Sequence, residues 1–195
     1  FGSRDRLGQR VAVADAAGRI GIHSADRGFQ TLGQRTLGSE AAALAWASAE
    51  NRLAVATRDG RLPVLDSGSP DLRELRTAQA LGPIPLLSWS PDGYRLAWVC
   101  VGTEICVSRP RPGTDTVGPL DDPERLYGHR GTVTQLAWSP DGERLASLAL
   151  DDRRLRFWSL DPDRTVRDSL ATGAGAPLLR VAAGQVTCLL GPSGC

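Results

Sequence analysis

Short apolar runs alternate with turn residues along most of the chain, and one such pattern recurs four times. Each copy begins with Arg and continues with a short stretch of small and branched apolar residues. The starts of successive copies lie about 42 to 49 residues apart, which is the period of architectures that repeat a four-stranded unit. The four copies occupy residues 10–14, 52–56, 95–99 and 144–148.

A second apolar run precedes three of these copies and ends in Trp46, Trp89 or Trp138. A tight turn separates the two runs, and in two units this turn reads Ser-Pro-Asp-Gly, at residues 90–93 and 139–142. Pro sets the backbone angle at the second position of such a turn, and Gly accepts the positive φ that follows. The pattern therefore predicts a β-hairpin in each unit.

A third run, in which apolar and polar residues alternate, completes the core of each unit.

The second strand of each unit is apolar on both faces, so the sheet must be covered on both sides. Stacking of small antiparallel sheets provides that cover. Weaker candidates for a fourth strand lie at residues 72–75, 124–127 and 164–170. The apolar positions of the third strands are Ile20 and Ile22, Leu62 and Val64, Ile105 and Val107, and Leu155 and Phe157.

The composition is that of an ordinary globular protein, with 41% hydrophobic residues, 23% charged residues and a net charge of +1. All 23 basic residues are Arg, and 22 acidic residues balance them, which disfavours a dedicated polyanion-binding protein. Residues 1–10 are polar and basic, and no apolar run approaches the roughly 18 residues that a membrane span needs. We therefore expect an intracellular protein without membrane partners, in the cytoplasm, with the nucleus as the alternative.

Enzyme and metal-site signatures are not found in the sequence. The spacing of Cys100, Cys106, Cys188 and Cys195 does not match a zinc site, and reduced, buried thiols are expected. There are only two His residues, and no nucleophile elbow occurs. The sequence predicts no catalytic residue, no cofactor and no metal, and hence a protein that is not an enzyme.

The fourth unit carries a specific set of residues in order: Gly128-His129, the Ser-Pro-Asp-Gly turn, Asp151 and Trp158. In these residues it resembles the WD-repeat (Trp-Asp repeat) β-propeller family. The resemblance covers roughly residues 10–190 and is most specific in this unit. It implies an all-β propeller of about four to five four-stranded blades, arranged as an incomplete ring.

The resemblance also implies a structural network in the fourth unit. His129 would hydrogen-bond Asp151, while Ser147 and Trp158 complete the arrangement. A buried polar network of this kind must be fully satisfied, and it then confers rigidity. Only the fourth unit keeps the Gly-His pair, so the network is expected there.

The repeats divide the chain into units of approximately 1–38, 39–80, 81–123, 124–171 and 172–195. The first unit lacks an innermost strand, and the last ends after two strands. We therefore expect a partial propeller of a larger protein that continues at both ends and that associates or aggregates when isolated. Residues 109–123, rich in Pro and Gly, form a long connection to the fourth unit.

Charged loop residues at the ends of the blades are the candidates for partner binding, because recognition residues are concentrated in loops on a rigid scaffold. They are expected on one face of the ring, where Arg can pair with the carboxylates of an acidic peptide or protein. The predicted function is a non-enzymatic scaffold that mediates protein–protein interactions within a larger multi-domain protein or complex. The candidate residues are Arg58, Arg61, Arg130, Asp152, Arg153 and Arg154.

Two other functions remain open at this point. One is a ribonucleoprotein subunit of the telomerase-associated WD-repeat type, although the sequence does not itself indicate RNA binding. The other is a propeller attached to a nucleotide-hydrolysing domain. Residues 190–195 resemble the opening of a phosphate-binding loop, but its lysine is missing, and a hairpin turn is favoured there.

Overall fold

The computed structural model describes residues 2–4, 9–47, 51–108, 120, 122–160, 167–171, 178–182 and 185–189. Side chains are described between residues 9 and 160, apart from the gaps and Val101. The candidate loop at residues 190–195 lies outside the described residues.

The described strands form four four-stranded antiparallel sheets and one two-stranded hairpin. Strands that follow each other in the chain are neighbours in every sheet, so each sheet is a meander. The strands are β1 (Gly2–Arg4), β2 (Arg10–Ala14), β3 (Arg19–Ser24), β4 (Thr31–Thr36), β5 (Ala41–Trp46), β6 (Arg52–Thr57), β7 (Val64–Asp66), β8 (Glu74–Arg76), β9 (Leu87–Trp89), β10 (Leu96–Val101), β11 (Glu104–Val107), β12 (Glu124–Leu126), β13 (Val133–Trp138), β14 (Arg144–Ala149), β15 (Arg154–Ser159), β16 (Arg167–Ala171), β17 (Leu178–Ala182) and β18 (Gln185–Leu189).

The first strands of successive sheets contact one another, β1 with β5, β5 with β9 and β9 with β13. The sheets therefore radiate from a common centre as blades 1 to 4, composed of β1–β4, β5–β8, β9–β12 and β13–β16. This is the arrangement of a β-propeller, and the described strands do not close the ring. The predicted all-β fold with four to five blades in an incomplete ring is confirmed.

The apolar core lies between the blades, which explains why the second strands are apolar on both faces. Every residue of β6 is buried. Leu53 and Val55 pack into the cluster shared with blade 1, whereas Ala54 and Ala56 pack into the cluster shared with blade 3. A strand between two such clusters cannot alternate apolar with polar residues.

The Ser-Pro-Asp-Gly turns close the predicted hairpins between the first and second strands. In blade 3, Ser90 Oγ accepts a hydrogen bond from the Arg95 N–H at 2.9 Å. In blade 4, Ser139 Oγ accepts the equivalent bond from Arg144 at 2.9 Å. The serine hydroxyl thus supplies a turn contact that the backbone alone does not make.

The repeated Trp residues connect neighbouring first strands. Trp89 Nε1 donates to the carbonyl oxygen of Ala45 at 3.0 Å, and Trp138 Nε1 donates to that of Ser88 at 3.1 Å. Each bond runs from one blade back to the blade before it. The Trp residues that marked the period in the sequence therefore connect the blades.

The repeated Arg residues connect the blades in the opposite direction. Arg52 Nη1 donates to the carbonyl oxygen of Gly93 at 3.4 Å, and Arg95 Nη1 donates to that of Gly142 at 2.8 Å. Arg10 lies over the Trp46 ring, 4.9 Å from its centroid. In each case an Arg at or immediately before the start of a second strand reaches the next blade.

Two details of the predicted organisation need correction. The first unit does have an innermost strand, because β1 pairs with β2. Residues 124–126 form the outer strand of blade 3, not part of blade 4, because β12 pairs with β11. The connection at residues 109–123 therefore joins the third and fourth strands of blade 3. Within it, the structure describes residues 120, 122 and 123.

The cysteines also depart from the expectation of reduced thiols. Cys100 and Cys106 form a disulfide with their Cα atoms 5.7 Å apart. The register pairs Trp98 with Cys106, and an irregularity between Val99 and Val101 brings Cys100 within reach. The sequence separation of six residues does not by itself predict this disulfide. The two cysteines come together because of the register of the β10–β11 hairpin and the irregularity within it. The side chains of Cys188 and Cys195 lie outside the described part of the chain.

Candidate functional site

The loop that leads into blade 4 packs tightly against the turn between β14 and β15. A Cβ atom on Gly131 would lie 2.5 Å from the Asp151 Cβ and 2.9 Å from the Asp152 backbone nitrogen. Both contacts are shorter than real Cβ atoms allow, so the close approach requires glycine. The loop and the turn thereby form one continuous surface above the blade.

A chain of hydrogen bonds fixes this loop to the sheet beneath it. His129 Nε2 lies 2.8 Å from Ser147 Oγ, and Trp158 Nε1 donates to the same oxygen at 2.8 Å. His129 Nδ1 lies 3.0 Å from Asp152 Oδ2. These partners assign the proton to Nδ1, which donates to the carboxylate, while Nε2 accepts from the Ser147 hydroxyl. The structure thus brings His129, Ser147 and Trp158 together as the resemblance implied.

The acidic member of this network is Asp152, whereas the sequence prediction placed Asp151 there. Asp152 Oδ2 also accepts the Arg130 N–H at 2.9 Å, and Oδ1 accepts the Arg154 N–H at 2.9 Å. Arg153 adopts a left-handed conformation with φ of 52°, in the tight turn that begins at Leu150. This turn directs the second of the two aspartates inward. Asp151 is exposed and accepts the Thr132 N–H at 3.1 Å.

The electrostatics favour a neutral imidazole and an ionised carboxylate. Burial of the His129 side chain lowers its pKa, and this effect outweighs the Asp152 carboxylate, which acts to raise it. For Asp152, burial acts to raise the pKa. The hydrogen bonds from the Arg130 N–H, His129 and the Arg154 N–H together outweigh burial and lower it.

The stability of the fold is expected to fall in mild acid because of His129. Its pKa is lower in the folded protein than in the unfolded chain, so protonation favours unfolding. The contribution of neutral His129 to the free energy of unfolding is complete above about pH 6.5, the ordinary pKa of histidine. It is lost as the pH falls below that value. We expect the melting temperature to decrease between about pH 6.5 and pH 5, and H129Q to remove most of this decrease. An unchanged slope in the variant would contradict the assignment.

Ser147, His129 and Asp152 are hydrogen-bonded in the same order as the Ser, His and Asp of a hydrolytic triad. The Ser147 hydroxyl, however, is not accessible. Ser147 is fully buried, and its hydroxyl oxygen accepts the Trp158 N–H. A substrate could not reach this oxygen without opening the blade. The arrangement ties the loop, the second strand, the turn and the third strand of blade 4 together.

The candidate arginines of blade 2 are already paired within the chain. Arg58 Nε lies 2.7 Å from Glu40 Oε2. Arg61 Nη2 lies 3.3 Å from Glu74 Oε2, and Arg61 Nη1 donates to the Leu37 carbonyl oxygen at 3.4 Å. The positive charge of these side chains is therefore largely balanced by neighbouring carboxylates.

The remaining candidates lie on blade 4, where Arg130, Arg153 and Arg154 are exposed. Asp152, predicted as a loop residue for partners, belongs to the network instead, and its side chain is only 6% exposed. Two exposed apolar residues that the sequence analysis missed, Tyr127 and Leu150, lie on the same loop and turn. Leu150 could not be singled out because it continues the apolar run of β14. We define the blade 4 surface as Tyr127, Arg130, Leu150, Arg153 and Arg154.

Other kinds of site were sought in the described part of the chain. No group of three or more His, Cys, Asp or Glu residues there could hold a metal ion. No helix there is long and apolar enough to cross a membrane.

Comparison with known proteins identifies the repeat and the fold. Residues 123–159 match the family described as WD domain, G-beta repeat. No curated protein matches the sequence significantly. The predicted WD-repeat resemblance is confirmed for the fourth unit.

Solved structures share the propeller fold at low sequence identity. One is a chain of the crystal structure of the mitotic checkpoint complex, with 19% identity and a TM-score of 0.70 over 88% of this chain and 50% of that chain. Another is the β-propeller domain of Cps50 (Swd1) from Myceliophteria thermophila, with 14% identity and a TM-score of 0.76 over 94% of this chain and 59% of that domain. The chain thus spans about half the length of the propellers that it matches. WD40 propellers are typical of protein-interaction scaffolds and are generally not catalytic.

Proposed function

We propose that the chain is part of a non-enzymatic scaffold that binds protein partners through the blade 4 surface. The observation that carries the proposal is the network around His129 and Asp152. The backbone N–H groups of Arg130 and Arg154 both donate to the Asp152 carboxylate, each at 2.9 Å. The network therefore fixes the backbone at both arginines. A binding surface that is already ordered loses less conformational entropy when a partner binds.

The chemistry of the blade 4 surface supports an acidic partner segment that also carries a large apolar side chain. Three exposed arginines and two exposed apolar residues lie on one loop and one turn. Arginine pairs bidentately with carboxylates, and aromatic and arginine residues dominate the energetics of many interfaces. The paired arginines of blade 2 make a poorer surface for the same partner, because an incoming carboxylate would have to displace Glu40 or Glu74.

The proposal can be tested by selecting peptides from a display library on the immobilised protein. We expect the selected peptides to combine Asp or Glu with a Leu or an aromatic residue. The double variant R130A/R154A should lose at least about tenfold in affinity for them, since two charge-assisted contacts are removed. Both substitutions keep the backbone N–H groups that bind Asp152. Fluorescence anisotropy with a labelled peptide measures the change.

The matched control is R58A, which removes an exposed arginine that is paired with Glu40. It should change the affinity by less than about twofold. Peptides without acidic residues, or equal losses in R58A and the double variant, would contradict the proposal. A strongly salt-dependent shift of single-stranded RNA that is lost in R130A/R154A would instead support the ribonucleoprotein alternative.

A further inference from the structure

A cleft between blades 2 and 3 leads to the disulfide of blade 3. The cleft has a volume of about 80 Å³ and is lined by both Cys100 and Cys106. Apolar side chains form most of the rest of its lining, among them Leu62, Ile84 and Trp98. A space of this size admits the thiol end of a small molecule, whereas a loop of another protein does not fit into it.

The two cysteines of this disulfide differ in exposure. Cys100 is 7% exposed, and Cys106 is 1% exposed. Thiol–disulfide exchange begins when a thiolate attacks one sulfur of a disulfide, and its rate depends on access to that sulfur. We therefore expect attack at Cys100, with Cys106 as the leaving thiolate.

Cys100 also interrupts the pairing of β10 with β11. The register changes between Val99 and Val101, which leaves Cys100 without a residue opposite it. Such a β-bulge bends its strand and sets the direction in which the strand continues. The disulfide ties the bulged residue to β11, and it thereby holds the turn that follows at residues 102–103.

The turn of this hairpin contacts the base of the blade 4 surface. The Gly102 carbonyl oxygen accepts a hydrogen bond from the Val133 N–H at 3.1 Å. Val133 is the first residue of β13 and lies just after Arg130 in the chain. Its pairing partner in β14 is Ala149, which directly precedes Leu150. One hydrogen bond thus connects the turn that the disulfide holds to both segments of the blade 4 surface.

We propose that the Cys100–Cys106 disulfide is a redox modification site for small thiols and that its reduction weakens partner binding at the blade 4 surface. The effect on binding rests on the proposed function, whereas the modification itself does not.

The exchange takes place in two steps. The thiolate of a small thiol forms a mixed disulfide with Cys100 Sγ, and the Cys106 thiolate leaves and takes up a proton. The thiolate of a second small thiol attacks the sulfur of the first, and the Cys100 thiolate leaves and is protonated. Two small thiols are oxidised to one disulfide, and their two electrons and two protons convert the protein disulfide into two thiols.

Reduction removes the covalent constraint on the bulge. The bond from the Val133 N–H to the Gly102 carbonyl oxygen is then formed for less of the time, and the loop that carries Arg130 becomes less ordered. Binding of a partner to that loop loses more conformational entropy, so the affinity falls. Oxidation restores the disulfide, and the change is reversible.

Peptide mapping of the full-length protein that contains this chain tests the site of attack. The oxidised protein is exposed briefly to reduced glutathione, quenched in acid and alkylated with N-ethylmaleimide, which reacts with free thiols. We expect glutathione on Cys100 and the alkylating agent on Cys106. The opposite placement, or no modification of either cysteine, would overturn the proposal.

The two single variants provide a matched comparison of access. C106S leaves Cys100 as a free thiol, and C100S leaves Cys106. Oxidised glutathione should modify Cys100 in C106S at least about fivefold faster than Cys106 in C100S, because the rate follows access to the sulfur. Equal rates, or a faster reaction in C100S, would contradict the assignment.

Hydrogen exchange measures the connection to blade 4 without any partner. We expect the Val133 amide to exchange at least about threefold faster after reduction with dithiothreitol, because local opening becomes more frequent. The matched control is the Gln34 N–H, which bonds across blades 1 and 2 to the Pro70 carbonyl oxygen at 3.0 Å. Its rate should not change. An unchanged rate at Val133 would overturn the connection and with it the proposal.

The effect on binding is measured with the acidic peptides from the display selection. The reduced protein should bind them at least about threefold more weakly than the oxidised protein. The variant C100A/C106A should bind as weakly as the reduced protein and should not respond to dithiothreitol. If R130A/R154A lowers the affinity and reduction does not, the regulation is overturned. If neither lowers it, the proposed function and the regulation both fail, and the mapping and the exchange, which need no peptide, decide the modification site alone.

Discussion

D152A is expected to lower the melting temperature by about 6 to 12 °C, whereas D151A should lower it by no more than about 2 °C. Removing the Asp152 carboxylate leaves His129 Nδ1 and the N–H groups of Arg130 and Arg154 without their acceptor. Buried donors without partners cost about 1 to 3 kcal/mol each, and part of this cost is recovered where water enters. A net loss of about 3 kcal/mol corresponds to the stated shift for a chain of this size.

The comparison between the two variants is informative because the aspartates are adjacent and chemically identical. Asp151 is exposed and accepts one hydrogen bond, from Thr132. Differential scanning fluorimetry of both variants at pH 7.5 measures the difference. Equal shifts, or a larger shift in D151A, would contradict the assignment of Asp152 as the residue that binds His129.

L72A is expected to destabilise the fold by about 3 kcal/mol, because it removes a leucine that is fully buried between blades 1 and 2. Large-to-small substitutions in a core cost about 2 to 5 kcal/mol, and the cost is high where the surroundings cannot collapse. Here the side chain packs into the cluster with Ile20 and Ile22, and a Cβ atom on Gly33 would lie 2.9 Å from Leu72 Cδ2. Alanine keeps the left-handed backbone at this position, so the effect reports mainly on lost packing.

The control for this substitution is L81A, since Leu81 is the same residue type in an exposed loop. It should change the free energy of unfolding by less than about 0.5 kcal/mol. Chemical denaturation gives both values. Hydrogen exchange of the β4 amides should accelerate in L72A, because the Gln34 N–H is bonded to the turn that carries Leu72. Equal stabilities of the two variants would contradict the role of Leu72 as an inter-blade joint.

Much of the fold could be predicted because a repeated blade has a strong local pattern. The starts at Arg10, Arg52 and Arg144 coincide with the starts of the second strands of blades 1, 2 and 4, and Arg95 immediately precedes that of blade 3. The Ser-Pro-Asp-Gly turns lie between the first and second strands of blades 3 and 4. The innermost strand of blade 1 was missed, because a strand of three residues has too few alternating positions to define a period. The fourth-strand candidate at residues 124–127 is confirmed by β12, but the boundary between the third and fourth units was placed before this strand and not after it.

The candidate site was predicted less completely. The sequence pointed to His129, Ser147 and Trp158 through the resemblance, and the structure brings these three together. It assigned Asp151 to the network and Asp152 to partner binding, whereas Asp152 is the residue that binds His129. It also grouped the arginines of blade 2 with those of blade 4. Ion pairs such as Arg61 with Glu74 join residues far apart in the chain, and local patterns carry no information about them.

The sequence by itself determined the period of the blades, their strand order and the need for cover on both faces, because these follow from local alternation of apolar and polar residues and from turn chemistry. Only the tertiary structure decided which aspartate binds His129, which arginines are already paired and which apolar side chains remain uncovered. Those outcomes depend on the backbone direction within one turn and on contacts between separate blades.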